Sequence, residues 1–328
     1  MAAGEVVGLD RMLVLEVARV TEAAAIAAAK LRGRGNNKAA DKAAVDAMRA
    51  ELGRVKLRGR VVIGEGEMDE APMLYIGEEV GTGTGPEVDI AVDPLEGTTL
   101  CAKAMPNALA VLAISEKGGL LHAPDMYMDK IAIGPGYPDG IIDLDLPAAE
   151  NIRALARARG IDVSEITACI LDRPRHADLI KAVRDAGAGV QLIPDGDIAG
   201  VIWTTNPRQT GIDIYLGSGG APEGVLAAAA LRCIGGQMQG RLMPQSNEER
   251  ARAEKMGASL TKKYTMQDMA STDVMFSATG VTSGSLLQGV QFNGEFAETE
   301  TVVMRARTGT VRRIRTTFRA IETKLKGL

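Results

Sequence analysis

The stretch that decides the fold class is ITACILDRPRHADLIKAVRDAGAGVQLIPDGD, residues 166–197. An apolar run ends in a polar loop, a stretch of helical period follows, and a second apolar run ends in PDGD. The same order continues to about residue 235. Strands that alternate with helices in this way are typical of βαβ units and a largely parallel sheet. The second half of the chain is therefore predicted to be α/β.

The first half of the chain has its helices first and its strands after them. Helical periodicity predicts one helix over residues 9–31 and a second over about 38–52. Short strands are predicted after these helices, at residues 60–63, 88–92, 108–115 and 130–133. After a helix-prone link at residues 245–257, three more strands close the chain. We predict an N-terminal α+β domain (1–150) and a C-terminal α/β domain (151–328).

Two of the predicted strands end in acidic loops. The first runs into GEGEMDE (64–70), which begins with Glu65, and the second runs into DPLEGTT (93–99). Like charges repel one another and burial penalises each of them, so a bound cation would offset both costs. Ligands that are all oxygen favour hard ions such as Mg²⁺ or Mn²⁺. For GEGEMDE alone, a solvated loop is the competing interpretation.

The segment DPLEGTT is the more specific indication of a metal site, since each of its residue types has a separate structural or chemical role. Pro94 stiffens the end of the strand and favours an extended residue before it. Gly97 permits close backbone approach, and the amides of Gly97, Thr98 and Thr99 are suited to an anion at the start of a helix. Metal ligands, an anion site and a hydroxyl together predict phosphate chemistry.

Composition excludes several other classes of function. The chain has 328 residues and a formal charge of −4, which argues against a nucleic-acid or anionic-membrane surface as its main partner. No apolar run reaches the roughly 20 residues of a membrane helix, and the N-terminus lacks the pattern of a secretory signal. Three separated cysteines favour a reduced, cytoplasmic protein, and two histidines make a histidine-rich zinc site improbable.

The motifs of this chain resemble those of a known family. DPLEGT with an upstream glutamate at a strand end is similar to the metal-binding signature of the lithium-sensitive sugar and inositol phosphatases. The longer strings VVIGEGEMDEAPMLYIGEEVG (61–81) and AVDPLEGTT (91–99) resemble class II, bacterial-type fructose-1,6-bisphosphatase more closely. Further matches follow in chain order between residues 19 and 284: RVTEAAA, ADKAAVDAMR, APDMYMDK, DRPRH, IPDGD, GGAPEG and FSATGVTSG.

The resemblance implies a fold and a set of site residues. The fold is a layered αβαβα sandwich of two adjacent sheet domains, with the active site between them. A first metal ion is held by Asp41 and Glu65, and a second by Asp93, Glu96 and Glu223. Thr98 and Glu65 are the implied catalytic residues. The implied substrate-binding residues are Glu96, Gly97, Thr98, Tyr127, Arg173, Pro174, Arg175, Asp195, Gly196, Asp197 and Gly220.

One departure from the family pattern lies in the loop before Asp41. The family commonly has GRGDK there, whereas this chain has GRGNNK, with Asn36 and Asn37 in place of the acid and the base. An asparagine carries no charge, so any role of this loop toward a third ion or a phosphate is in doubt. Asp41 itself is intact, and His176 is assigned no catalytic part.

The resemblance implies hydrolysis of fructose 1,6-bisphosphate to fructose 6-phosphate and phosphate, with two Mn²⁺ or Mg²⁺ ions, in gluconeogenesis. The alternatives are an enzyme that also accepts sedoheptulose 1,7-bisphosphate, an inositol monophosphatase-like enzyme, and a sensor that binds sugar phosphates without catalysis. We expect a cytoplasmic homo-oligomer, a dimer or a tetramer. The basic C-terminal segment is interpreted as a solvated face; a subunit contact or an effector-phosphate site is the alternative.

Overall fold

The structure is a computed structural model, and it describes Leu9, residues 11–66 and residues 73–319. The acidic residues Glu67, Asp69 and Glu70 lie outside the described residues. The helices are α1 Leu13–Ala29, α2 Asn37–Leu52, α3 Thr98–Ala102, α4 Ala148–Arg159, α5 Ala177–Asp185, α6 Asp197–Trp203, α7 Pro207–Thr210, α8 Ala221–Ile234, α9 Asn247–Lys255 and α10 Met266–Met269. The strands are β1 Arg58–Ile63, β2 Glu79–Val80, β3 Glu87–Glu96, β4 Leu109–Glu116, β5 Tyr127–Ile133, β6 Thr167–Leu171, β7 Gly189–Ile193, β8 Ile214–Gly220, β9 Gln237–Met243, β10 Tyr264–Thr265, β11 Val274–Gly280, β12 Gln291–Asn293, β13 Phe296–Arg305 and β14 Thr310–Arg319.

These strands form two mixed sheets. The first has the order β12-β13-β11-β4-β3-β1-β2, with β14 paired to β13. In it β1 and β3 run parallel, and β4 runs antiparallel to both β3 and β11. The second sheet has the order β10-β9-β5-β8-β6-β7. Its strands β7, β6 and β8 are parallel as the alternating pattern predicts, but β5, β9 and β10 pair antiparallel, so the sheet is only partly parallel.

Helices cover both sheets in five layers. Helices α1 and α2 pack on the outer face of the first sheet, and α4 and α5 pack on the outer face of the second. The layer between the sheets contains α8, together with α6 and α10. Alanine-rich α8 fits there because its small side chains let a helix approach both sheets closely, and ten of its fourteen residues are buried. The predicted αβαβα sandwich is confirmed.

The two sheets do not divide the chain at residue 150. Strand β5 precedes that position and lies in the second sheet, whereas β11 to β14 follow it and lie in the first. Strand β5 and strands β11 to β14 pair with strands that are distant in sequence, and the local pattern of residues carries no information on such pairing. The division into two domains at residue 150 stays a prediction.

Other expectations concern the core and the surface. Trp203, Met126 and Met128 are core residues, as their apolar surroundings predict. The three cysteines are buried and unpaired. On β14 several arginines are exposed, which agrees with a solvated basic face as far as Arg319. Among the described residues, no helix has both the length and the apolar character needed to span a bilayer.

Candidate metal centre and active site

The site forms where strands of the first sheet end. Strands β1 and β3 are parallel neighbours, so their carboxyl ends lie at the same edge of the sheet. Glu65 follows β1, while Asp93 and Glu96 occupy the last residues of β3. Helix α2 packs against β3 and carries Asp41, and α8 between the sheets carries Glu223 in its first turn. Four separate elements, α2, β1 with the loop after it, β3 and α8, thus supply the five predicted metal ligands.

A pocket of about 310 Å³ collects these side chains. All five predicted ligands line it, together with Gly97 and Thr98. Asp93, Glu96 and Glu223 each place a carboxylate oxygen within 4.8 Å of the others, which is close enough to share one cation. Asp41 and Glu65 also line the pocket, and the charge of Asp41 acts on Glu65. The grouping of the ligands into two ion sites stays a prediction.

Burial raises the pKa of every one of these carboxyl groups, and repulsion from neighbouring carboxylates adds to this effect for all of them except Asp41. Burial, followed by the charges of Asp41, Asp93 and Glu223, raises the pKa of Glu65 to about 8. Burial, followed by the charge of Asp197, raises the pKa of Glu223 to about 7. Burial raises the pKa of Asp93 to about 6, and it also raises the pKa values of Glu96 and Asp41. Five clustered carboxylates therefore favour a bound cation as their counter-charge.

The ligand atoms fit a hard divalent ion. One oxygen of Glu223, Oε2, is buried and has no hydrogen-bond partner among the described residues. A buried carboxylate oxygen without a partner is costly, and coordination of an ion removes that cost. All the donors are carboxylate oxygens, the set preferred by Mg²⁺ and Mn²⁺. The residues at this site thus fit the divalent metal that the motifs imply.

Backbone groups orient two of the ligands. The Leu95 amide donates to Asp93 Oδ1 at 3.1 Å, and the Ile198 amide donates to Glu96 Oε1 at 3.0 Å. Gly97 then turns the chain with φ of 78°, a conformation that favours glycine, so that Thr98 starts α3 on the wall of the pocket. Thr98 thereby lines the same pocket as the acidic side chains.

The two asparagines of the atypical loop have structural partners. Asn36 caps α2, since its side chain accepts a hydrogen bond from the Ala39 amide at 3.0 Å. Asn37 Nδ2 donates to Thr99 Oγ1 at 3.1 Å. This bond ties the start of the helix that carries Asp41 to the first turn of α3, which begins with Thr98.

Some of the predicted substrate residues lie at the pocket or beside it. Asp195 lines the pocket. Arg173 Nη1 donates to the Pro194 carbonyl at 2.6 Å, and its other terminal nitrogen lies 3.9 Å from Asp195. Pro174 begins the short 3₁₀ turn that follows Arg173. The guanidinium of Arg173 is thus held over the same loop that brings Asp195 to the site.

A second group extends from the pocket across the second sheet. Arg175 lies 4.6 Å from the centre of the Tyr127 ring and donates two hydrogen bonds to Ser218. Tyr127 pairs in register with Gly220, and a Cβ on Gly220 would overlap the carboxylate of Glu223. Tyr127, Arg175 and Gly220 do not themselves line the 310 Å³ pocket. They form a surface that adjoins the metal ligands.

Gly196 and Asp197 differ from the other predicted substrate residues in their surroundings. Gly196 has φ of 84° and immediately precedes α6. Asp197 is only 6% exposed and forms an ion pair with Lys130, which is 1% exposed. His176 is buried: its Nδ1 lies 2.8 Å from the Leu171 carbonyl, and its Nε2 accepts from the Ser218 amide at 2.9 Å. Its position agrees with a packing role.

Sequence reasoning passed over two residues. Asp125 lines the pocket, yet only Tyr127 of APDMYMDK was singled out, and nothing local distinguishes the two. Lys130 had a signal, because it is a lone charge at the start of the apolar segment KIAI. A charged residue in a buried strand needs a partner, and that need pointed to a polar contact.

Comparison with known proteins bears on the same residues. A family model described as bacterial fructose-1,6-bisphosphatase, glpX-encoded, matches residues 11–318. The chain is 50% identical over 320 residues to fructose-1,6-bisphosphatase 1 class 2 of Escherichia coli strain K12, covering 93% of this chain and 95% of the relative. The chain belongs to the bacterial class II fructose-1,6-bisphosphatase family. The fructose-1,6-bisphosphatase class 2 of Shigella flexneri matches with the same identity and coverage.

Membership of the class II fructose-1,6-bisphosphatase family makes the chain a phosphatase of the hydrolase class and confirms the resemblance stated from the motifs. The matched region includes every element that supplies the acidic pocket.

Proposed function

We propose that this chain hydrolyses the 1-phosphate of fructose 1,6-bisphosphate, giving fructose 6-phosphate and inorganic phosphate, a reaction of gluconeogenesis. The observation that carries the proposal is the convergence of five carboxylates and Thr98 on one pocket, in a chain of this family. A non-catalytic sensor would not need the hydroxyl beside the acidic set.

Two divalent ions, Mn²⁺ or Mg²⁺, complete the proposed site. We assign Asp41 and Glu65 to one ion, and Asp93, Glu96 and Glu223 to the other. When bound, such ions neutralise the oxygens of the transferred phosphoryl group and lower the pKa of a water molecule. The protein's own part is to hold five carboxylates together against their repulsion, with the Leu95 and Ile198 amides orienting two of them.

Thr98 positions the attacking water in this proposal. Thr98 begins α3 and lines the pocket together with Glu96. A water oxygen forms the new bond to phosphorus, the bond between phosphorus and the C1 oxygen of the sugar breaks, and a proton from the water balances the charge on the C1 oxygen, which leaves as the hydroxyl of fructose 6-phosphate. The Thr98 hydroxyl accepts a hydrogen bond from that water and fixes its direction of approach, and Glu65 assists as the nearby base.

The sugar and the second phosphate extend away from the acidic pocket. Arg173 and Arg175 lie at the carboxyl end of β6 and offer guanidinium groups suited to a phosphate that is not cleaved. Arg175 is held against Tyr127 by Ser218, so its direction is fixed before substrate binds. Asp195 offers acceptor oxygens for sugar hydroxyls.

Release of phosphate by the purified protein tests the function. Phosphate is measured with malachite green on fructose 1,6-bisphosphate, with Mn²⁺, Mg²⁺ and chelator in parallel. Sedoheptulose 1,7-bisphosphate and an inositol monophosphate serve as comparison substrates. Turnover of fructose 1,6-bisphosphate that depends on the metal is expected; binding of the sugar with no phosphate released would favour the sensor instead.

We also propose that the enzyme acts in the cytoplasm as a homo-oligomer, a dimer or a tetramer. Three buried, unpaired cysteines are consistent with a reducing compartment. Exposed apolar side chains, among them Leu15 at 55% and Phe292 at 47%, offer surface for self-association. Light scattering after size exclusion measures the number of subunits directly.

A further inference from the structure

Lys130 is a buried cation directly behind the acidic pocket. It lies in β5, 1% exposed, with its ammonium bonded to the carboxylate of Asp197 and to the Gly220 carbonyl at 2.9 Å. Neither Lys130 nor Asp197 lines the pocket. Within the part of the chain that the structure describes, the pair makes no direct hydrogen bond to a metal ligand; it reaches the site through the groups that it contacts, and the charge of Asp197 also acts on Glu223.

Each contact of Lys130 leads to a different metal ligand. Asp197 is the first residue of α6, and the next amide along the chain, that of Ile198, donates to Glu96. Gly220 ends β8 and begins the turn into α8, whose first turn holds Glu223. One ammonium thus connects the start of α6 to the start of α8, and through them two carboxylates that belong to different elements, β3 and α8.

The glycines around the pair leave no room for a larger residue in their places. A Cβ at Gly219 would overlap the Asp197 carboxylate and lie 3.0 Å from Lys130 Nζ. A Cβ at Gly220 would overlap the carboxylate of Glu223, and one at Gly224 would lie 2.8 Å from Met128 Sδ and 3.3 Å from Lys130 Cδ. The backbone of the β8–α8 turn is packed directly on the ion pair.

We propose that the buried Lys130–Asp197 pair is a positioning device that fixes Glu96 and Glu223 as metal ligands. The proposal rests on the proposed metal-dependent function of the pocket. Lys130 neutralises Asp197, so the pair as a whole adds little net charge to the site. Its effect is to fix the position of the first turn of α6 relative to the first turn of α8.

Direct measurement of Mn²⁺ binding separates positioning from charge. Free Mn²⁺ is followed by electron paramagnetic resonance during titration of substrate-free protein, for wild type, Lys130→Met, Asp197→Asn and the double variant. If the pair acts by position, all three variants weaken Mn²⁺ binding by about 10–100-fold, the range found when groups behind metal ligands are removed. The double variant keeps the net charge of the wild type, so its loss is due to position alone.

A purely electrostatic role would give a different pattern. Lys130→Met would tighten Mn²⁺ binding, Asp197→Asn would weaken it, and the double variant would resemble wild type; either this pattern or three unchanged affinities overturns the proposal. Lys130→Gln provides a second replacement where the methionine variant does not fold. Wild-type protein that binds no Mn²⁺ would refute the proposed metal-dependent function itself. Failure of the proposed function is thus distinguished from failure of the positioning proposal.

A second buried ion pair provides the matched control. Arg305 and Asp273 are 5% and 7% exposed at their side chains and lie 2.8 Å apart, and neither lines the pocket. The double variant Arg305→Met/Asp273→Asn is expected to lose thermal stability while binding Mn²⁺ within twofold of wild type. Equal weakening in this control would mean that any buried pair has the effect.

Discussion

Replacement of Thr98 is expected to affect the chemical step without affecting binding of the metal. Thr98 belongs to neither of the two proposed sets of metal ligands, so Thr98→Ala is expected to lower kcat by about 10²–10⁴-fold while Mn²⁺ affinity stays near that of wild type. Steady-state kinetics beside Mn²⁺ titration measures both quantities. Thr98→Ser keeps the hydroxyl and is the control. Near-normal turnover by the alanine variant would remove Thr98 from the mechanism.

Replacement of Gly220 by alanine tests the packing of the metal site, because it adds a single carbon atom beside the ligands. The φ of Gly220, −63°, suits any residue, so an added methyl group strains no backbone dihedral. The methyl group would instead overlap the Glu223 carboxylate, and Gly220→Ala is expected to weaken Mn²⁺ binding at least tenfold. Calorimetric titration with Mn²⁺ measures the change. Gly53→Ala, at a position of φ −61° remote from the pocket, should bind as wild type does.

Helix α2 depends on a cap supplied by the atypical loop. The Asn36 side chain accepts from the Ala39 amide, so Asn36→Ala is expected to lower the free energy of unfolding by about 1 kcal/mol. Urea denaturation measures this loss, and Asn36→Asp, which retains an acceptor, should recover the lost stability.

Asn37→Ala removes the bond to Thr99 but leaves Asp41 in place, so less than tenfold loss of kcat is expected. A larger loss would give Asn37 a direct part in the site.

Helix α1 carries a buried acid whose ionisation opposes folding. Glu22 is 3% exposed and accepts from Thr316 at 2.6 Å and from Thr299 at 3.3 Å, on β14 and β13. Burial raises its pKa above the ordinary value of 4.5, against the lowering effects of the threonines and of Arg19. The folded state therefore favours the protonated acid, and its contribution to stability is lost as pH rises from the unfolded toward the folded pKa.

Glu22→Gln keeps an acceptor oxygen and cannot ionise. Its gain in unfolding free energy over wild type should be small below the unfolded pKa and should grow as pH rises to neutrality. Chemical denaturation at several pH values between 4 and 8 measures the difference. Glu295→Gln, at a side chain 70% exposed, controls for the lost charge. A gain that is independent of pH would assign the effect to packing.

The whole molecule is expected to gain stability from its metal. Five carboxylates on four separate elements repel one another, and a bound ion links those elements and offsets the repulsion. Chelation should lower the melting temperature by several degrees, and excess Mn²⁺ should restore it, because 100-fold excess over Kd is worth about 2.7 kcal/mol. Differential scanning fluorimetry measures the shift, and Glu65→Gln/Glu223→Gln should abolish it. Equal melting temperatures in chelator and in Mn²⁺ would contradict a metal that bridges these elements.

Much of the fold and part of the site follow from local sequence. The helices at Leu13–Ala29 and Asn37–Leu52 and the strand at Leu109–Glu116 lie within a few residues of the predicted ranges, because periodicity and turn residues act over short distances. Glu65, Asp93 and Glu96 were found from the residues alone, since acids after apolar strands stand out. Asp41 and Glu223 were found only through the resemblance, because each lies within a helix where an acid is ordinary.

By itself the sequence determined where most of the longer helices and strands lie, which strands end in acid, and which family the motifs resemble, because these properties depend on neighbours along the chain. It did not predict β2, β9, β10 or β12. Only the tertiary structure decided that β5 crosses to the second sheet, that Asp41 and Glu223 meet the strand-end acids, and that Lys130 is buried against Asp197. These features depend on pairing and packing between segments up to about 180 residues apart, and such contacts leave no periodic pattern in either partner.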